Sequence, residues 1–187
     1  RINVDSVGED MALTRVKNNQ LTGSIATSKL ASGSSFLTSL PSGSVLQVVG
    51  GINTTNLAQS GDTSNMEAAI SQAITPSATS SKILVIGAIE IHLYASVRVD
   101  ATVDFVRIVG GATTGLDSNT LYNLHGSGTY YPYESDKMPF MFLDSPNTTS
   151  EITYAIRFKQ GGSSGTIYSC TANGLGASNL ICQEIKG

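Results

Sequence analysis

Few residues in this chain are of a type and spacing to do chemistry. It has two histidines, His92 and His125, far apart in sequence, and two cysteines, Cys170 and Cys182. There is no HExxH, no paired CxxC and no P-loop. "GSGT", Gly126 to Thr129, lacks the strand–glycine–helix setting of a phosphate cradle. Serine, histidine and aspartate occur, but without the tight turn that would present a nucleophile. Asp100, Asp104 and Glu90 have the oxygen donors calcium wants, but read as scattered surface carboxylates. "DSN" at Asp117 is too short for an EF-hand loop. The acids are dispersed, whereas glycan hydrolysis needs a facing pair. We therefore expect no catalytic, cofactor or metal set and read the chain as a non-enzyme. Asn53 and Asn147 begin N-x-T sequons, which matter only in a eukaryotic secretory setting.

One stretch is enriched in a different kind of group. Gly110 to Lys137 shows little strand character and is long for a connection. It carries Tyr122, Tyr130, Tyr131 and Tyr133, four of the seven tyrosines, together with Asn123 and His125. Tyrosines on a long loop suit stacking on a sugar or a protein, with the amide and imidazole supplying hydrogen bonds. The same rings would equally serve to pack the loop on its own domain or on a neighbouring subunit.

Bulk composition narrows the classes. Charged residues make up 13% of the 187 and the net charge is −3, so no basic surface for nucleic acid is offered. No apolar run approaches the roughly 18 residues of a membrane helix, so we expect no membrane insertion. No signal peptide is evident; the chain opens at Arg1, and Met11 in "MALTRV" reads as a possible translation start. Glycine, serine and threonine favour turns and strands over helices. Cys170 and Cys182 read as small strand residues, with a disulfide across a terminal hairpin as the alternative.

Two regions are expected. Residues 1–44 carry single apolar residues separated by small polar ones, among them Leu21, Ile25, Leu30 and Phe36. These follow neither a period of two nor one of 3.6, so the segment cannot build a core alone. It reads either as a linker or as an extended arm whose anchors seat on a neighbour.

Residues 45–187 read as about eight short strands. The first is "VLQVV" from Val45. Met66 to Ile74 is a half-buried strand with Met66, Ala68, Ile70, Gln72 and Ile74 on one face. "TPSATSS", Thr75 to Ser81, is a loop set by Pro76 and local Ser/Thr bonding. It launches the longest strand, apolar on both faces from Ile83 to Ala88 and wet on one face beyond, which places His92 in solvent. Val103 to Val109, "MPFMFL" (Met138 to Leu143, apolar on both faces), Ile152 to Phe158, "GTIYSC" and "NLICQEI" follow. This pattern predicts an all-β, antiparallel β-sandwich of jelly-roll type with an extended N-terminal arm. Two strands apolar on both faces predict a further buried face beyond the sandwich core.

"LPSGSVLQVV", "ITPSATSSKILV" and "FLDSPNTTSEITYAIRFK", with a short strand before "EIKG", resemble a β-domain of tail fibres and related virion proteins of bacteriophages, especially marine and cyanobacterial ones. "MALTRVKNNQLTGSIATSKLASG" resembles the polar leaders of such fibres. The resemblance runs from about Met11 to the end, without the shaft or coiled-coil heptads of a long fibre. It implies a virion component, a homotrimer, and contact with other virion proteins through the arm, with a host surface glycan as a potential ligand. A capsid decoration protein and a free carbohydrate-binding module are the other two readings.

Overall fold

The computed structural model describes residues 40–60, 65–94, 100–122, 134–161, 166–169 and 176–187. The chain divides into residues 1–39 and 40–187, and all described residues belong to the second unit. The arm anchors Leu21, Ile25, Leu30 and Phe36 lie outside the described residues.

Ten strands run β1 (Val45–Asn53), β2 (Leu57–Ser60), β3 (Glu67–Ile74), β4 (Lys82–Tyr94), β5 (Asp100–Val109), β6 (Ala112–Tyr122), β7 (Glu134–Asp144), β8 (Ile152–Gln160), β9 (Thr166–Ser169) and β10 (Ser178–Ile185). Pairing is nested: β1 with β10, β2 with β9, β3 with β8, β4 with β7 and β5 with β6, all antiparallel. The strands thus form one long hairpin whose tip is Gly110–Gly111. Both glycines have positive φ, +55° and +84°, as a two-residue turn matched to strand twist requires.

Rolling that hairpin adds β10 beside β4 and β5 beside β8. The result is two sheets, β1-β10-β4-β7 (with β2 and β9 extending β1 and β10) and β3-β8-β5-β6. First strand pairing with last, wound into two facing antiparallel sheets, is the jelly roll. The sandwich is therefore of the predicted class.

The core lies between the sheets. Ile83, Val85, Ile89 and Ile91 of β4 face Phe105, Tyr154, Ile156 and Phe158 of the other sheet, all at most 1% exposed. Gly87 interrupts the β4 series because space there is already filled. A Cβ on it would lie 2.8 Å from the Asn179 carbonyl oxygen and 2.8 Å from Leu180 Cδ1. The oxygen belongs to the paired strand and cannot turn aside. Gly87→Ala should therefore lower stability by about 1–3 kcal/mol through overpacking, read in a urea or thermal melt. A variant as stable as the parent would mean that β10 shifts freely.

Three expectations need correction. Gly110 to Lys137 is not a long loop: β6 fills Ala112–Tyr122 and β7 begins at Glu134. Strand β6 is the free edge of its sheet, and of its outer half only Leu116, at a bulge, packs against the core, so "ATTGLDSNTLY" shows little apolar alternation. Strand β3 does not alternate throughout, because a register shift between Ala68 and Ile70 turns Ala69 inward. His92 is not in solvent but 8% exposed. Within the single chain the second apolar face of "MPFMFL" is open: Phe140 is 5% exposed, and Met141 and Leu143 are 75% and 51% exposed.

Candidate interaction surfaces

The two ends of the sandwich differ in what they carry. Ser60 pairs with Thr166, Tyr94 with Thr166, Leu93 with Glu134, Asp100 with Tyr122, and Ala101 with Gln160. These strand ends share one end of the domain, and connections 61–64, 95–99, 123–133 and 162–165 leave from it. Tyr122 is the last residue of β6, in this row. Asn123, His125, Tyr130, Tyr131 and Tyr133 lie outside the described residues, in the connection that starts and finishes at this end.

At the opposite end Val45 pairs with Ile185, Lys82 with Ile185, Ile83 with Asp144, and Ile74 with Ile152. The chain enters the sandwich here. The Gly43 N–H donates to the Lys186 carbonyl at 2.8 Å, the Lys186 N–H donates to the Ser44 carbonyl at 2.8 Å, and the Lys186 ammonium donates to the Leu40 carbonyl. Both chain ends of the domain are thus tied together at the entry end.

Two carboxylates organise that end. Glu184, 1% exposed, points inward from β10. One oxygen accepts from the Ser77 N–H, the Ser77 hydroxyl and the Ser81 hydroxyl, each at 2.6 Å, and the other accepts from the Gln47 amide at 2.6 Å. Burial alone would push its carboxyl up, but these bonds prevail and hold it below the ordinary value. The polar run Thr75–Ser81 is therefore a loop folded around a buried anion.

The second carboxylate, Asp144, ends β7. Arg107 Nη1 of the facing sheet lies 2.8 Å from both its oxygens, and the Tyr154 hydroxyl donates to it at 2.7 Å. Burial and then this bond push the Tyr154 phenol far above its ordinary value. The cluster clamps the sheets together and contains no nucleophile.

Cys182 is a free thiol, fully buried, and burial pushes it up to about 12. Cys170 lies outside the described residues. His92 Nε2 sits 3.5 Å from Glu90 Oε1 on the outer face of β4. It is 8% exposed, and its neighbour Glu90 lies against Gly176, where a Cβ would fall 2.8 Å from Glu90 Cγ. Among the described residues no group of three or more His, Cys, Asp or Glu could hold a metal.

Glu184 and Asp144 were missed in the sequence because each ends an apolar strand, where a carboxylate reads as solvated. A signal was present in the parity of β10: Leu180, Cys182 and Glu184 share one face, and the first two are plainly core.

No protein-family model matches this chain. No curated protein matches it either, so the likeness to phage fibre domains stands on the quoted segments alone. Among solved structures it is similar to a structure of the infectious bursal disease virus Gx strain. The identity is 14% and the TM-score 0.42, over 75% of this chain and 32% of that one. The VP2 subviral particle of infectious bursal disease virus matches at 17% identity and TM-score 0.34, over 74% and 39%. The T13 particle of the same virus matches at 13% and 0.37, over 74% and 37%. The chain spans about a third of the length of these proteins. The jelly-roll assignment itself comes from the strand pairing above.

Proposed function

We propose that this protein is a structural component of a tailed-bacteriophage particle, fibre-like, held by residues 1–39 and presenting the sandwich outward for host attachment. The observation that carries this reading is the polarity of the domain. The chain enters at the Leu40 end, where Lys186 and Glu184 fasten the entry and the neighbouring loop. Four connections leave from the far end, including the one with Tyr130, Tyr131 and Tyr133. A module built to be fixed at one end and read at the other has this layout, and loops at the free end vary without disturbing the core. The low charge and the inert polar clusters fit a structural role. The trimeric state comes from the resemblance to fibre domains, as does the virion as location.

The test is mass spectrometry of purified particles, in which peptides from both the arm and the sandwich should appear. The ligand side is tested by replacing Tyr130, Tyr131 and Tyr133 with alanine. Each stacking ring contributes on the order of 1 kcal/mol, so adsorption to host cells should weaken roughly a hundredfold. Unchanged adsorption with a lowered melting temperature would instead assign the rings to packing.

A further inference from the structure

The outer faces of the two sheets are unlike. On the sheet β3-β8-β5-β6, Thr102 stands opposite Lys159 and Asp104 opposite Arg157, polar and charged pairs that give way to Val106 and Ala155, each 1% exposed, toward the Gly110–Gly111 end. On β1-β10-β4-β7 three transverse rows cross all four strands. They are Val48–Gln183–Leu84–Leu143, Gly50–Ile181–Ile86–Met141 and Ile52–Asn179–Ala88–Pro139. None of these twelve positions is charged. Ile52 and Met141 are 73% and 75% exposed, and Val48, Leu143, Ile181 and Ile86 range from 56% down to 39%. Charge returns only at the rims, with Lys82 below and Glu90 and Lys137 above.

We propose that this face is where copies of the chain meet, packed around an axis parallel to the strands. At the backbone the rows span about 14 Å across the strands and about 13 Å along them. With side chains that is on the order of 400 Å², about half of what a stable interface takes from each partner and comparable to the largest single apolar patch of a monomer. An uncharged centre inside a charged rim is the anatomy of a protein interface.

The occupant is a second copy for two reasons. The face carries no charge to recognise an acidic or basic partner, but is self-complementary in chemistry. An axis along the strands also keeps every entry end together and every loop end together, as display from a common anchor requires. The proposal deepens the fibre-like reading and rests on it for that common orientation.

The test uses the full chain. Sedimentation velocity at about 10 µM should show an oligomer for the parent, and Ile86→Lys with Met141→Lys should sediment as a single chain, a loss of at least about a hundredfold in affinity. Circular dichroism should be unchanged, since both side chains point away from the core. Independently, a photo-crosslinking benzoylphenylalanine at position 141 should give adducts between chains that map to β1, β4, β7 or β10.

A parent that is oligomeric and stays so in the double variant overturns the face but leaves the fibre-like reading standing. Adducts that map to residues 1–39, or to another protein, also overturn it. A monomeric parent overturns both. If the double variant fails to fold, the crosslink map alone decides.

Discussion

Glu184→Ala should lower the melting temperature by roughly 10 °C. The substitution removes one acceptor group and strands four donors at once: the Ser77 N–H, the hydroxyls of Ser77 and Ser81, and the Gln47 amide. Unsatisfied buried donors cost about 1–3 kcal/mol each, but Ser77 is exposed and can turn to water, so about 3–5 kcal/mol is expected in total. For a domain of this size each kcal/mol moves the midpoint by about 2–4 °C.

The loss has a pH signature. The folded carboxyl is held below its ordinary value of 4.5. Its contribution is therefore complete above that value and is lost as pH falls through the lower folded one. Melts of parent and Glu184→Gln run side by side should differ near neutral pH and converge on acidification. A constant gap down to strongly acid pH would show that the carboxylate charge is not what holds Thr75–Ser81.

Asp144→Ala is the second large effect. It leaves the Arg107 guanidinium, largely buried between the sheets, without its counter-ion, and the Tyr154 hydroxyl without its acceptor. Breaking a buried pair from one side costs about 3–5 kcal/mol, because the surviving charge is uncompensated. Replacing the whole cluster by apolar groups, as in Asp144→Leu with Arg107→Met and Tyr154→Phe, should recover most of that loss. Urea melts of the single and triple variants check both statements. A single variant within about 1 kcal/mol of the parent would mean that Arg107 swings out to solvent.

These two sites also show what the sequence made legible. Class and architecture were readable because long strands with one wet face announce themselves. In β8, Ile152, Tyr154, Ile156 and Phe158 are all fully buried and alternate with Thr153, Ala155, Arg157 and Lys159, of which only Ala155 is buried too. Met138 to Leu143 is apolar on both faces, and within one chain its outer face, at Met141 and Leu143, is open.

What failed was whatever depends on neighbours distant in sequence. Edge strand β6 has one neighbour among the described residues, and of 112–118 only Leu116 packs against the core, so that stretch carries no period. His92 is buried although its strand reads as wet there, and its neighbour Glu90 lies against Gly176, more than eighty residues away in sequence. Ala69 turns inward at a bulge set by pairing with β8. The anchoring role of Glu184 needs Ser77, Ser81 and Gln47 to converge on it, and a single strand cannot show that.

The central claim is one of orientation: an entry end fixed to a particle and a loop end presented outward. Cryo-electron microscopy of purified particles tests it most directly. The sandwich should fit density with Leu40, Lys186 and the Gly110–Gly111 turn toward the particle body. The strand ends at Ser60, Tyr94, Tyr122 and Glu134 should point away from it. Density that fits only in the reverse orientation, or particles that lack the protein, would contradict the account.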